Sequence, residues 1–252
     1  MVFISAHRGN CGIPDLSMAE SYKRAIDLNI DFVEFDVRRT KDGTYVIWHD
    51  EHTPSKRRVC DLSYEAYSSE LADQTLTVPQ LLTIAKGRVG LHLDLKEAGY
   101  EDEIVGLALS SLTTNELVIT TLEDASVRVI KERFPSKDFP TLKVGLSLGR
   151  DLTGAGVFRK LRVRLSELFP GRRLRSSQAD FVAAQHLLAT LTVLRYCTRK
   201  RMPIWIWTVD DERNMLRFLN DPGVTTLITN KPEVAMSLRA SKAPSPIGPE
   251  SG

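Results

Sequence analysis

Short apolar runs alternate with longer amphipathic runs along most of the chain. Nine runs are predicted to be strands because they are short, rich in branched apolar residues and bounded by turn residues. They cover residues 2–6, 31–38, 45–48, 90–95, 117–121, 141–146, 180–184, 203–209 and 224–228. Longer runs with helical spacing separate most of them, among them residues 18–28, 79–85, 102–112, 125–134, 188–200 and 211–219.

A repeated order of strand then helix is typical of parallel strands joined by right-handed crossovers. About eight such units, with one extra strand after the second, predict a closed TIM (βα)8 barrel that forms a single α/β domain over residues 1–239. An open doubly wound sheet is the alternative, but no G-x-G-x-x-G motif follows the first strand. Residues 240–252 contain three prolines among small polar residues, which predicts a disordered C-terminal tail.

Composition and charge narrow the class of protein. The 252 residues are 42% hydrophobic and carry a net charge of +2, which excludes a mainly disordered chain and gives no bulk positive charge for nucleic-acid binding. No apolar run has the length of a transmembrane helix, and the first one ends too early for a signal peptide. Cys11, Cys60 and Cys197 are far apart, which predicts free thiols and a cytoplasmic location.

One segment, from Arg150 to Arg175, departs from the average charge. It holds eight basic and two acidic residues, a local net charge of +6, so the rest of the chain is close to −4. Six apolar residues recur in it at near-helical spacing: Val157, Phe158, Leu161, Leu165, Leu168 and Phe169. The first interpretation is an ordinary barrel helix with a solvated basic face. The second is a basic amphipathic helix that makes a peripheral contact with the anionic inner face of a membrane.

The second predicted strand carries two carboxylates on one face. Residues two apart share a face of a strand, so Glu34 and Asp36 lie opposite Val33, Phe35 and Val37. The apolar face suits the surrounding helices, and the carboxylates then point into the barrel near the end of the strand. Neighbouring buried carboxylates repel each other, and a hard divalent cation between them would remove that cost.

The strand over residues 90–95 repeats this arrangement. Its leucines share one face, while His92, Asp94 and Lys96 lie on the other. Asp94 is therefore a candidate third oxygen ligand, and Lys96 is positioned to meet an anion. The alternative is a purely structural network of ion pairs among Glu34, Asp36, Asp94 and Lys96. Barrel mouths are where catalytic residues collect, which favours the metal site.

Two histidines at strand ends complete the candidate site. His7 ends the first strand and is followed by Arg8, and His49 follows the extra strand. Two histidines beside carboxylates and two basic groups fit acid–base catalysis on a phosphate ester, whose negative charge the metal, Arg8 and Lys96 would offset. His52, His92 and His186 are weaker candidates.

Six motifs together resemble the glycerophosphodiester phosphodiesterase family, in family order over nearly the whole chain. They are His7-Arg8-Gly9, residues 32–37 followed by residues 40–43, residues 46–50, residues 93–96, residues 206–210 and residues 227–232. The resemblance implies a TIM-type barrel whose site binds Mg²⁺ or Ca²⁺ through Glu34, Asp36 and Asp94. It also implies that His7 and His49 are the acid–base pair, that Arg8 and Lys96 hold the phosphate, and that Trp207 lines the pocket.

The implied reaction is attack by a substrate hydroxyl on the neighbouring phosphate. This attack gives a cyclic phosphate, which is then hydrolysed or released. The family resemblance therefore implies hydrolysis of a small-molecule glycerophosphodiester to an alcohol and glycerol 3-phosphate. Three departures from the family pattern bear on the substrate contacts, the position of the metal and the width of the mouth. Residues 14–17 lack the usual Asn, Asp94 replaces the usual Glu, and the segment between His49 and Asp94 is short, which predicts a small cap and an open mouth.

Two alternatives remain at this point. Asp94 in its Leu-Asp-Leu-Lys setting is similar to the sphingomyelinase D and lysophospholipase D branch, which implies a lysophospholipid substrate at a membrane. The second alternative is a catalytically inactive barrel that only binds phosphodiesters. An isomerase or aldolase on the same fold would leave both strand-end histidines unexplained.

Overall fold

The computed structural model describes residues 1–10 and 13–241, and this part of the chain forms a closed barrel. Its strands are β1 (Phe3–Ala6), β2 (Phe32–Arg39), β3 (Tyr45–Ile47), β4 (Gly90–Leu95), β5 (Leu117–Thr121), β6 (Lys143–Leu148), β7 (Phe181–Gln185), β8 (Ile204–Trp207) and β9 (Thr226–Thr229). Every strand predicted from the sequence is present, with ends that differ by a few residues. The TIM (βα)8 fold is therefore confirmed.

Pairing of β1 with both β2 and β9 closes the barrel. The other barrel strands follow in parallel order, from β2 to β4 and then through β5, β6, β7 and β8 to β9. The extra strand β3 is antiparallel to β2, with Val37 opposite Ile47. It pairs with the C-terminal half of β2 outside the barrel wall. The residues that follow β3 therefore lie at the mouth.

The helices of the described residues cover the outside of the barrel. They are α1 (Met18–Asp27), α2 (Tyr64–Leu71), α3 (Val78–Ala85), α4 (Glu101–Leu109), α5 (Asp124–Arg133), α6 (Val157–Leu168), α7 (Gly171–Ser177), α8 (His186–Leu188), α9 (Leu194–Lys200), α10 (Glu212–Leu219) and α11 (Pro232–Ala240). A π-helical turn, Ala189–Val193, joins α8 to α9. Among the described helices, none combines the length and the apolar character that crossing a bilayer requires.

Two sequence predictions, the disordered tail and the free thiol at Cys11, fall partly or wholly outside the described residues. The predicted disordered tail begins at residue 240, but Ala240 is the last residue of α11 and Ser241 caps that helix. The rest of the predicted tail, residues 242–252, lies outside the described part. Cys11 also lies outside it. Cys60 and Cys197 are free thiols, as predicted.

The alternation predicted for β2 and β4 sets the core. Val33, Phe35, Leu91 and Leu93 are fully buried between the barrel wall and the helices. Removal of such side chains from water is the main stabilising contribution to this layer. The polar residues that alternate with them therefore face the barrel interior.

Aromatic side chains fill the lower part of the barrel interior. The ring centroid of Trp205 lies 5.0 Å from that of Phe32 and 5.2 Å from that of Phe181. His92 packs on the same indole, with ring centroids 4.9 Å apart. This aromatic floor closes the barrel beneath the polar residues at its C-terminal mouth.

Helix α6 is turned with its apolar side to solvent. Glu167 is its only buried residue, whereas Phe158 is 90% exposed and Val157 is 78% exposed. The carboxylate of Glu167 accepts hydrogen bonds from the backbone N–H groups of Gly149 and Arg150, at 2.9 and 2.8 Å. The solvated basic face expected of an ordinary barrel helix is present, but the burial of the apolar side that this interpretation requires is wrong for α6. The segment also forms two helices, α6 and α7, rather than one.

Candidate active site

A cavity of about 1360 Å³ opens at the C-terminal ends of the strands. The structure brings together around it all eight residues singled out from the sequence as the site. They are His7, Arg8, Glu34, Asp36, His49, Asp94, Lys96 and Trp207. His92 contributes to the floor, whereas His52 and His186 do not line the cavity. Residues that are far apart in the sequence therefore meet at the strand ends around one cavity.

Three buried carboxylates form the acidic centre of the cavity. One oxygen from each of Glu34, Asp36 and Asp94 lies within 4.8 Å of the others. Asp36 and Asp94 are direct neighbours in the register of β2 and β4. The Thr120 hydroxyl, from β5, donates a 2.6 Å hydrogen bond to Asp94 and fixes that carboxylate. All three side chains come from adjacent strands, so their positions depend on the barrel wall rather than on loops.

The protein's own cations balance these carboxylates unequally. Burial raises the pKa of Glu34 well above its ordinary value, and the charges of Asp36 and Asp94 raise it further. Burial alone would also raise the pKa of Asp36, but Lys96 and Arg8 together lower it to about 2. Glu34 is therefore the carboxylate of the pair on β2 whose charged form its surroundings stabilise less. A set of three buried carboxylate oxygens fits a hard divalent cation.

Lys96 and Arg8 supply positive charge beside the carboxylates. The Lys96 ammonium lies 2.7 Å from Asp36 and also forms an ion pair with Asp94. The Arg8 guanidinium lies 3.0 Å from the second oxygen of Asp36, and its side chain is 44% exposed. The ion-pair network considered from the sequence is therefore present among Asp36, Asp94 and Lys96. The exposed Arg8 side chain leaves donors that face the cavity.

The turn after β1 depends on an unusual backbone. Arg8 has φ 54° and Gly9 has φ 62°, both in the left-handed region. A Cβ on Gly9 would lie 2.4 Å from the ring of Tyr22, so a side chain there would clash. The Arg8 N–H donates a 2.6 Å hydrogen bond to Glu34. This strained turn thus joins the first strand end to the acidic centre.

His7 is held by a chain of hydrogen bonds. Its Nδ1 lies 2.8 Å from Asn230 Oδ1, and Asn230 Nδ2 donates to Asp210 at 2.7 Å. Asp210 also accepts from the Asn230 backbone N–H at 2.8 Å. Because a carboxylate only accepts, the Asn230 amide must turn its oxygen to His7, which places the hydrogen of neutral His7 on Nδ1. Burial lowers the pKa of His7, and Arg8 lowers it further.

His49 is held by a carboxylate and by its own backbone. Its Nδ1 lies 2.7 Å from Asp50 Oδ1, and its carbonyl accepts hydrogen bonds of 3.1 and 2.9 Å from the Arg38 guanidinium. Arg38 is in turn paired with Glu97 at 2.6 Å. Burial lowers the pKa of His49, although the charge of Asp36 raises it.

Trp207 both packs in the barrel interior and lines the cavity. Its indole N–H donates a 3.1 Å hydrogen bond to the Ala183 carbonyl, and its ring partly packs on the barrel interior. The rest of the side chain lines the cavity beside Gly149. A Cβ on Gly149 would lie 3.0 Å from the indole, so the absence of a side chain there leaves room for this ring.

Four residues that hold the site were not identified as functional from the sequence: Arg38, Thr120, Asp210 and Asn230. Asp210 and Asn230 belong to the motifs noted above, and each follows a strand end, which was the available signal. Their pairing with each other and with His7 depends on the closure of the barrel between β8, β9 and β1. Periodicity along the chain carries no information on that pairing.

Comparison with known proteins adds independent findings. The model of the glycerophosphoryl diester phosphodiesterase family matches residues 7–153. A glycerophosphodiester phosphodiesterase of Caldanaerobacter subterraneus is 24% identical over 93% of this chain and 96% of its own length.

Solved structures agree on the fold. A glycerophosphodiester phosphodiesterase from Parabacteroides distasonis superposes with a TM-score of 0.72 at 18% identity, over 96% of this chain and 98% of its own. A phosphodiesterase from Oleispira antarctica, solved with its product sn-glycerol-3-phosphate, has a TM-score of 0.69 at 16% identity, over 94% of this chain and 96% of its own.

Proposed function

The chain belongs to the glycerophosphoryl diester phosphodiesterase family, whose members are phosphoric diester hydrolases, and we propose that it hydrolyses glycerophosphodiesters to an alcohol and glycerol 3-phosphate. The observation that carries the proposal is the convergence of two histidines, two cations and three buried carboxylates on one cavity. The product bound to the Oleispira antarctica phosphodiesterase, sn-glycerol-3-phosphate, is consistent with this substrate class. Free thiols at Cys60 and Cys197 support the proposal of a cytoplasmic location.

Glu34, Asp36 and Asp94 would hold a divalent cation, Mg²⁺ or Ca²⁺. Support comes from the donor set, which consists only of oxygen atoms, and from the raised pKa of Glu34, because a bound cation would stabilise the charged form that burial and the neighbouring carboxylates disfavour. When bound, the cation would neutralise part of the negative charge of the phosphate. Arg8 and Lys96 would contact the phosphate oxygens, because both already lie at the acidic centre with hydrogen-bond donors to offer.

Metal dependence has a test that does not require turnover. We expect Mg²⁺ or Ca²⁺ to raise the melting temperature of the wild-type protein and to leave that of Asp36→Asn unchanged, because loss of this carboxylate removes a ligand from the centre of the set. Thr113→Ala, in the connection between α4 and β5, is the matched control and should keep the wild-type response. Equal stabilisation of wild type and Asp36→Asn would contradict the site.

His7 is proposed as the general base. Neutral His7 has its hydrogen on Nδ1 because of Asn230, so the lone pair of Nε2 is free to accept a proton. The substrate hydroxyl next to the phosphate would give its proton to Nε2 while its oxygen attacks phosphorus. A lowered His7 pKa keeps the imidazole neutral for this step.

His49 is proposed as the general acid. As the bond from phosphorus to the leaving oxygen breaks, His49 would give that oxygen a proton, which yields the free alcohol and a cyclic phosphate. Asp50 supports the charged imidazolium, and the negative charge of a bound phosphate would raise the His49 pKa toward the protonated form. Water would then open the cyclic phosphate with the two roles reversed, which yields glycerol 3-phosphate.

The reaction is tested by phosphorus NMR of the purified protein with Mg²⁺ or Ca²⁺. Glycerophosphocholine and lysophosphatidylcholine are offered separately. The proposal expects glycerol 3-phosphate from the first substrate, and formation of that product about 10³-fold more slowly with the His7→Ala variant. Bound metal with no turnover of either substrate would contradict it and favour an inactive binding barrel.

A lysophospholipase D is the second candidate function. It is favoured by the exposed apolar side of α6, because α6 follows Gly149, Arg150 and Asp151, which line the cavity. A substrate with an acyl chain could rest that chain there. Preferential turnover of lysophosphatidylcholine to lysophosphatidic acid, or to its cyclic form, would select this candidate.

A further inference from the structure

Seven of the twelve large apolar side chains that are exposed among the described residues lie on α6, at its end and on the segment that follows β7. On α6, Val157, Phe158, Leu161 and Leu165 are exposed, and Phe169 at its end is 69% exposed. Leu187 and Leu191, beyond β7, are also exposed, and the hydroxyl of Thr192 donates a 2.7 Å hydrogen bond to the Leu168 carbonyl, which joins the two segments. We call these seven exposed side chains the α6 surface. Contiguous exposed apolar side chains of this kind mark a site of interaction.

Unpaired positive charge accompanies the α6 surface. Of the eight basic residues between Arg150 and Arg175, three form ion pairs with carboxylates, through Glu123, Glu167 and Asp124. The described residues offer no carboxylate within ion-pair distance of the other five, which are Arg159, Lys160, Arg162, Arg172 and Arg175. By helical spacing, Arg162 lies along one border of the apolar side with Arg159 beyond it, and Lys160 lies toward the other border.

We propose that the α6 surface docks on an anionic lipid bilayer. An apolar stripe with basic residues at its borders fits the boundary between acyl chains and negatively charged headgroups. A second copy of this chain fits less well, because a two-fold interface would set the same unpaired basic residues against each other.

The position of the α6 surface relative to the cavity determines which end of the barrel would face the bilayer. Arg150 and Asp151 line the cavity and lead into α6, and Leu187 lies two residues beyond the end of β7. Helix α11, in contrast, ends next to the start of β1, where Arg239 contacts the Val2 carbonyl. Docking would therefore bring the mouth of the barrel, rather than its closed end, close to the bilayer. This inference concerns binding and does not depend on the proposed reaction.

Co-sedimentation with vesicles tests the docking. The full chain is mixed with vesicles of phosphatidylcholine alone, or of phosphatidylcholine and phosphatidylglycerol at roughly 2:1. We expect binding to the anionic vesicles at ~50 mM NaCl, weaker binding at ~500 mM, and little binding to phosphatidylcholine alone. No binding to anionic vesicles at low salt would overturn the proposal.

Matched variants assign the binding to α6. F158S should weaken partitioning about 10-fold, and the triple variant F158S/L161S/L165S about 100-fold or more. V129S, at an exposed apolar position of α5, is the control and should bind like wild type. Because all these side chains are exposed, the variants should fold, and circular dichroism checks this.

Charge reversal tests the basic borders separately. R159E/R162E should weaken binding to anionic vesicles about 30-fold or more, whereas K23E/R24E, the same change on α1, should have little effect. Equal loss in both would mean that only net charge matters and would overturn the assignment to α6. A dimer in light scattering that F158S/L161S/L165S converts to a monomer would also overturn it, because a second copy would then cover the surface.

Discussion

His7 and His49 both line the cavity, but different kinds of neighbour hold them. An amide that is itself fixed by Asp210 supports His7, whereas a carboxylate with a 71% exposed side chain supports His49. An amide oxygen orients the ring without stabilising its charged form by a full charge, and a carboxylate does both. The difference suits a base that rests neutral and an acid that must hold a proton. Similar strand-end positions can thus acquire opposite proposed roles through one neighbour.

The largest expected effect separates the two histidines by the leaving group. His7→Ala and His49→Ala should each lower kcat on glycerophosphocholine by about 10³-fold. A glycerophosphodiester of p-nitrophenol has a leaving group that departs without a proton, so His49→Ala should regain most of its rate on it while His7→Ala stays slow. Rates on both substrates check this. Recovery in His7→Ala instead would exchange the two roles.

The second largest effect is expected from loss of the Asn230 amide. Asn230→Leu should lower kcat by about 10²-fold with a smaller change in KM. The substitution removes the group that orients the His7 ring, whereas the groups proposed to bind the substrate stay in place. Nitrogen NMR of histidine-labelled protein adds a direct measurement, since only the wild type should hold neutral His7 with its hydrogen on Nδ1. An unchanged tautomer in Asn230→Leu would show that Asn230 does not set it.

Loss of the exposed Asp50 carboxylate should lower kcat less than loss of the Asn230 amide. Asp50→Asn is expected to lower kcat less than about 10-fold, because solvent screens an exposed ion pair and Arg38 still holds the His49 backbone. Glu51→Gln, at the neighbouring exposed position, is the control. A loss as large as that of His49→Ala would mean that Asp50 itself takes part in proton transfer.

The smallest expected effects are shifts in the pH profile, and they have opposite signs. Exchange of the pair, Asp210→Asn together with Asn230→Asp, puts a carboxylate directly beside His7 with an amide behind it, because Asn230→Asp alone would set two carboxylates against each other. The exchange raises the pKa of His7, so the acid limb of kcat/KM moves to higher pH. Asp50→Asn removes a negative charge beside His49 and lowers its pKa, so the alkaline limb moves to lower pH. Each shift should be roughly one pH unit. Movement of the same limb in both variants would contradict the assignment of base and acid.

The sequence predicts the strands and the acidic centre well because both depend on local alternation. Apolar and polar residues alternate in β2 and β4, and this pattern alone directs Glu34, Asp36 and Asp94 to the interior. The eight strands then need only close into a barrel for the strand ends to meet. The fold and the acidic centre follow from this alternation, whereas Trp207 is expected at the pocket only from the family resemblance.

The orientation of α6 could not be predicted in the same way. Helical spacing defines an apolar side, but which side faces the barrel depends on Glu167 and the backbone N–H groups of Gly149 and Arg150. The contact joins residues that are seventeen and eighteen positions apart in the sequence. Its donors belong to a loop, where the alternation of apolar and polar residues gives no prediction. The links from Asp210 through Asn230 to His7 are non-local for the same reason.

The aromatic floor formed by Phe32, Phe181 and Trp205 has a kinetic consequence. Because these rings fill the barrel below the polar residues, a molecule that enters by the mouth must also leave by it. Whichever product departs last therefore still occupies the cavity mouth by which the next substrate enters. That product should then inhibit competitively, so turnover would slow as it accumulates even while substrate remains abundant.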